Sequence, residues 1–311
     1  MVDALVSKRK LIVFGWVCLL CIVLFSGTAK ACRLYGVISE SLPDGLLEKH
    51  LVTDPNSLKE LCRLGNKDGW GIGYIPIKGE KASIVRGAIR ASADPGYDKL
   101  VQSLEVSKPQ ILIAHIRWCS SGCCAHGKDA IEDPHPFYRD QDGKRWIFVH
   151  NGGVSIERMQ KLIGEEYLRA NPPNGSAIAA CSDKVVDSEL YFLYLLKNIE
   201  EHNGDAVKGI MAAVSSMVKN GEKGSMNFIL SDGQNMWAFR RNTQGVLSRI
   251  ISLYMPFTLY YLHDPSKGYS VVASRYPTKE QGNWIAMQDY DLVVFNGNQP
   301  PQKITINPFK E

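Results

Sequence analysis

The chain has 311 residues, 45% of them hydrophobic and 22% charged, with a formal net charge of +4. Residues 1–31 hold four basic side chains (Lys8, Arg9, Lys10, Lys30) and one acid (Asp3), so the remainder carries only +1 and has no Lys/Arg cluster of the kind a nucleic-acid partner requires. That remainder can bury one large core, and no Pro/Ser/Gly linker divides it, so a single domain over 32–311 is expected.

The first element reads as an export signal. Lys8, Arg9 and Lys10 precede an almost wholly apolar run from Leu11 to Phe25, and Ala29-Lys30-Ala31 follows with the small residues that a signal peptidase reads before its cut. A membrane-spanning helix wants about 20 apolar residues; this run is shorter and contains Gly15. Cleavage between Ala31 and Cys32, giving a periplasmic or secreted protein, is therefore expected over a retained anchor.

Strand patterns follow, at Cys32–Ser39, Gly69–Ile75, Ser83–Ile89, Ile111–Trp118 and Arg145–His150, each rich in β-branched and aromatic residues and bounded by turn residues. A helix is predicted around Ser57–Leu64, and apolar residues at helical spacing predict others at Glu157–Leu168, Asp187–Glu201 and Asp205–Lys219. Strands return at Met226–Ser231 and Met236–Arg240, joined across the turn signal Asp232-Gly233, and again at Leu259–Leu262, Ser270–Ser274 and Leu292–Phe295. Strands, then helices, then strands predict an α+β layered domain with sheets packed face to face and helices outside, rather than alternating βαβ units. The apolar stretch Val246–Leu262 carries Arg249 and Pro256 and reads as core rather than a membrane span.

Six cysteines remain after cleavage: Cys32, Cys62, Cys119, Cys123, Cys124 and Cys181. An exported compartment allows one or two bridges among the last five, and their odd number leaves at least one thiol free. The segment Trp118–His126 gathers three cysteines and one histidine but lacks paired C-x-x-C units, so no metal is expected. Cleavage before Cys32 would give that residue a free α-amino group with a pKa of about 7.7–8.0 beside its own thiol, uniting nucleophile and base in one residue. The junction alone leaves three readings open: an N-terminal nucleophile, a buried strand cysteine, or a lipid-attachment site. Ala29 and Lys30 suit lipoprotein processing poorly.

The stretches CRLYGVIS (Cys32–Ser39), KDGWGIGY (Lys67–Tyr74), AHIRW (Ala114–Trp118), HPF (His135–Phe137), HNGGV (His150–Val154), DSE (Asp187–Glu189), SDG (Ser231–Gly233) and ASR (Ala273–Arg275) resemble, in order, those of class II glutamine amidotransferases, from Cys32 to about Trp284. The resemblance implies the four-layer αββα sandwich of N-terminal-nucleophile hydrolases and a site in which Cys32 attacks a side-chain amide to form a thioester. It implies that Asn151 and Gly152 form the oxyanion hole, that Arg117 grips the substrate α-carboxylate with Trp118 beside it, and that Asp187 holds the α-ammonium. Taken without the resemblance, Asn151 is a turn residue, Arg117 a charge at a strand end in an apolar setting, and Asp187 a helix N-cap. His115, His135 and His150 read as structural, and Trp70, Trp146 and Trp284 as core.

The chain departs from the family pattern at Cys119–Cys124 and at Asp133-Pro134, which puts substrate range in question. No ammonia-accepting synthase region follows the resemblance, so a stand-alone hydrolase of glutamine or a γ-glutamyl compound is expected, needing no cofactor; a separate partner chain could still take the ammonia. The alternatives are a membrane-anchored or lipidated binding protein on the same fold, and an acylase for a different amide.

Overall fold

The computed structural model describes residues 31–63, 66, 68–76, 81–118, 135–173, 186–242, 258–278 and 282–310. The expected export signal, the cysteine-rich segment after Trp118, Cys181 and most of Val246–Leu262 lie outside them.

The chain opens with strand β1 (Arg33–Ser39), helix α1 (Leu46–Glu48) with a π-turn over Lys49–Thr53, and α2 (Leu58–Arg63). Then come β2 (Trp70–Ile75), β3 (Ser83–Gly87), α3 (Pro95–Ser107), β4 (Ile111–Ile116), β5 (Phe137–Gln141) and β6 (Lys144–Gly152). Four helices follow, α4 (Ile156–Ile163), α5 (Glu165–Ala170), α6 (Asp187–Glu201) and α7 (Ala206–Lys219). The chain ends in β7 (Met226–Ser231), β8 (Met236–Phe239), β9 (Tyr260–Asp264), β10 (Tyr269–Ala273), β11 (Ile285–Ala286), β12 (Asp291–Phe295) and β13 (Gln302–Thr305).

The strands form two sheets, one in the order β11-β9-β10-β1-β4-β2-β3 and the other β13-β12-β8-β7-β6-β5. Alternate residues of each strand face different layers because side chains project to opposite sides of a pleated sheet. In β1 and β4, Leu34, Ile38, Ile111 and Ile113 meet Ile147, Val149, Ile229 and Met236 of the second sheet. Their neighbours Tyr35, Val37, Leu112 and Ala114 pack instead on Leu47, Leu58, Tyr97 and Val101 of the helical side. Beyond the second sheet, Phe148, Phe228 and Phe239 meet Leu190, Phe192, Ile210 and Val214 of α6 and α7. Three apolar interfaces between four layers are the expected αββα sandwich. Strands buried on both faces also explain why β1 and β4 read as apolar runs instead of alternating patterns.

The structure refines several predicted elements. The helical pattern at Glu157–Leu168 is two helices, because Gly164 adopts a left-handed φ of 84° and stops α4 after its first two turns. Helix α3 is additional; Asp94 accepts from the Gly96 N–H at 2.9 Å and Pro95 opens the helix, which buries Tyr97, Val101 and Leu104. Strand β5 is also additional, paired to β6 across Asp142 and Gly143, whose φ values of 51° and 73° suit a tight hairpin turn. Among the described residues no helix is long and apolar enough to cross a membrane.

Candidate active site

Register places the first site residue. Arg33 stands opposite Ile116 in the β1–β4 ladder, so the residue before β1 meets the residues after β4. There the Cys32 thiol donates to the Trp118 carbonyl oxygen at 3.4 Å, and its sulfur accepts from the Trp118 N–H at 3.3 Å. The Arg117 N–H is tied to the Gly69 carbonyl at 2.9 Å, which fixes this strand end against the start of β2. Cys32 is a free, half-buried thiol. Burial pushes its pKa up; the Trp118 N–H and the charges of Arg117 and Arg33 pull it down, and Asp187 raises it again, with a net rise. Both members of the predicted zwitterion clamp, Arg117 and Asp187, therefore act electrostatically on the sulfur.

Strand β6 delivers the next pair. Asn151 is 1% exposed and lies opposite Asn227 of β7, whose Nδ2 donates to the Asn151 carbonyl at 3.2 Å. The following position admits only glycine: a Cβ on Gly152 would stand 1.8 Å from the Ser225 carbonyl oxygen. The Gly153 N–H donates to that same oxygen at 3.1 Å, and the Val154 N–H donates to Asp187 Oδ2 at 3.0 Å. Asp187 opens α6, yet its carboxylate serves this neighbouring turn, and no side chain caps the helix at Val186.

His150 joins these parts. Its Nε2 lies 3.1 Å from the Ser225 carbonyl oxygen, which can only accept, so Nε2 carries the proton and Nδ1 accepts from the Ser188 hydroxyl at 2.9 Å. Ser188 Oγ is also 3.5 Å from Asp187 Oδ1. Burial holds His150 below the ordinary histidine range against the opposing pull of Asp187, so the ring is neutral at pH 7. His115 and His135 pack with ring centroids 4.2 Å apart and planes tilted by 40°. Burial and then the Arg117 charge push His115 down to about 3, and burial pushes His135 down too. Both rings are buried and neutral at pH 7.

Glu222 supports the Asn151–Val154 turn from behind. Its Oε2 accepts from the Ser155 N–H and Arg158 Nη1, both at 3.0 Å, and its Oε1 accepts from the Lys223 and Gly224 N–H groups, both at 2.8 Å. Burial raises this carboxyl, but the bonds from Ser155, Gly224 and Arg158 outweigh it and hold the pKa below the ordinary glutamate range. A carboxyl depressed in the folded state contributes stability that is present above its unfolded pKa of about 4.3 and is lost as pH falls through the folded value. Glu222→Gln is expected to cost about 1–3 kcal/mol at pH 7 and to flatten the loss of stability below about pH 4. Urea unfolding from pH 3 to 7 checks this; an unchanged acid limb in the variant would contradict it.

Sequence reasoning missed two contributors. Arg33 Nη1 and Asn66 Nδ2 both donate to the Ala31 carbonyl oxygen, at 2.6 and 2.7 Å. Asn66 abuts the matched KDGWGIGY stretch and Arg33 is the second residue of CRLYGVIS. Their positions were visible, but their shared target was not. Among the described residues no group of three His, Cys, Asp or Glu side chains could hold a metal, and Cys62 is a buried free thiol whose sulfur accepts from the Ser92 N–H at 3.3 Å.

The two stacked sheets with helices on both outer sides have the layered fold of N-terminal-nucleophile hydrolases. The family model described as "Glutamine amidotransferases class-II" matches residues 56–307, and the chain belongs to that family. It is similar to the Escherichia coli (strain K12) protein named "Putative glutamine amidotransferase YafJ", 29% identical over 185 residues that cover 56% of this chain and 60% of that protein. A Haemophilus influenzae protein named "Putative glutamine amidotransferase" is 26% identical over 260 residues, 78% of each chain. The chain thus spans somewhat under two thirds of YafJ. In fold it resembles the glutamine phosphoribosylpyrophosphate amidotransferase of B. subtilis, with TM-score 0.56 and 15% identity over 89% of this chain and 49% of that one. It also resembles a "glutamine aminotransferase class-II domain protein" of Silicibacter pomeroyi, with TM-score 0.54 and 16% identity over 89% of this chain and all of that one.

Proposed function

We propose that the mature protein begins at Cys32 after signal-peptide removal and is an exported amidohydrolase cleaving the γ-amide of glutamine or of a γ-glutamyl compound. The observation that carries this reading is the Cys32 sulfur, bracketed by the backbone of Trp118 under the charges of Arg117 and Asp187. Opposite charges flanking a thiol suit a substrate with a zwitterionic amino-acid end, Arg117 pairing the carboxylate through parallel N–H donors and Asp187 the ammonium.

The chemistry needs the bond between Ala31 and Cys32 broken, because a peptide nitrogen is no base. The freed amine takes the thiol proton as sulfur attacks the amide carbon. The Asn151 side-chain NH₂ and the Gly152 N–H receive the developing oxyanion. The C–N bond then breaks, the departing amine takes the proton from the Cys32 amine, and water hydrolyses the thioester to release the acid and restore the thiol. No side chain fits at Gly152, where a Cβ would stand 1.8 Å from the Ser225 carbonyl oxygen.

Intact mass and amide hydrolysis measured on one preparation of the exported protein test the proposal. The expected result is an active species starting at an unmodified Cys32. Activity in a species that retains residues upstream of Cys32, or whose terminal nitrogen is acylated, would overturn it.

A further inference from the structure

The donors gathered on the Ala31 carbonyl have no part in the steps above. That oxygen is two bonds from the Cys32 nitrogen and accepts from Arg33 Nη1 at 2.6 Å and Asn66 Nδ2 at 2.7 Å. All three residues are buried, Ala31 at 3%, Arg33 at 5% and Asn66 at 2% exposure. Arg33 Nη1 also reaches the Cys32 carbonyl oxygen at 3.2 Å. Burial and then the like charge of Arg275 push the Arg33 guanidinium down to about 10.

We infer that in the processed enzyme Arg33 and Asn66 form a subsite for a carboxylate on the leaving amine, so that the substrates are γ-glutamyl amino acids or short γ-glutamyl peptides rather than free glutamine. The inference rests on the amidase reading of Cys32. Cleavage removes Ala31 and leaves both donors on the chain. The Cys32 amine must hand its proton to the departing nitrogen, which therefore lies within hydrogen-bond reach of it, on the side where the Ala31 carbonyl stood. In an amino-acid leaving group the carboxyl carbon is two bonds from that nitrogen, so its oxygens fall near the two donors; ammonia offers them nothing. A guanidinium beside an amide N–H suits a carboxylate because both give directed, charge-assisted hydrogen bonds. The reaction balances as before: the γ-carbon to nitrogen bond breaks, the thioester forms, the thiol proton leaves on the amino acid, and water releases glutamate.

The test compares kcat/KM for γ-glutamylglycine, γ-glutamylmethylamide and glutamine, using enzyme expressed as the full chain and purified after export. The glycine compound is expected to exceed the methylamide by about tenfold or more, one charge-assisted contact being worth at least that. Asn66→Ala and Arg33→Gln are expected to bring the ratio to within about threefold of one. Because the ratio is taken within each preparation, it does not depend on how much of a variant folds. If Arg33→Gln blocks export or processing, Asn66→Asp sets a negative charge against the leaving carboxylate and should drop the ratio below its wild-type value. Equal use of the two amides by the wild type, or a ratio that stays put in the variants, overturns the subsite and leaves the amidase reading standing. Hydrolysis of none of the three substrates overturns both.

Discussion

Replacing Cys32 by alanine is expected to leave a folded, exported protein whose amide hydrolysis falls by about 10⁴-fold or more, since losing the nucleophile of a covalent mechanism removes nearly all of its chemistry. The fold should tolerate the change. Strand β1 is held on both sides, by β10 and β4, and among the described residues the deleted sulfur makes two long bonds, at 3.3 and 3.4 Å, to the Trp118 backbone. Circular dichroism and urea unfolding monitor the fold, and hydrolysis of a γ-glutamyl amide monitors the activity. Retention of more than a few per cent of activity in a protein of verified mass would exclude Cys32 as nucleophile.

The second large effect falls on the oxyanion. Asn151→Ala is expected to lower kcat by about 10²–10³, or ~2.7–4 kcal/mol of transition-state stabilisation, with little change in KM, because the lost donor meets its charge only when the tetrahedral intermediate forms. Asn151 is buried and its backbone carbonyl is held by Asn227, so the strand path should survive truncation of the side chain. A variant that loses KM and keeps kcat would assign Asn151 to substrate binding instead.

Much of the architecture was legible because the strands that build it are apolar on both faces. CRLYGVIS and ILIAHIRW became β1 and β4 with ends within two residues of those expected. Elements stabilised by their context were harder to see. Strand β5 (FYRDQ) is polar and lies at the end of its sheet; only the Asp142-Gly143 turn signalled it. Helix α3 has modest amphipathic contrast, and its real marks were Asp94 as cap and Pro95 as first residue. Gly164 divided a pattern whose apolar spacing ran on through it, since a left-handed residue stops a helix whatever the side chains beyond it would prefer.

The site divides along the same line. Sequence by itself carried the basic, apolar and Ala-Lys-Ala order of residues 8–31, the place of Cys32 directly after it, and the ordered motifs that hold Arg117, Asn151, Gly152 and Asp187, because each is a local string of residues. Tertiary structure decided which of these groups meet. The sulfur reaches Trp118 across 86 positions of sequence, His150 is tied to Ser188 across 38, and Asn66 reaches the Ala31 oxygen across 35. Such contacts follow from strand register and the stacking of two sheets, which hydrophobic burial sets collectively and no local pattern encodes.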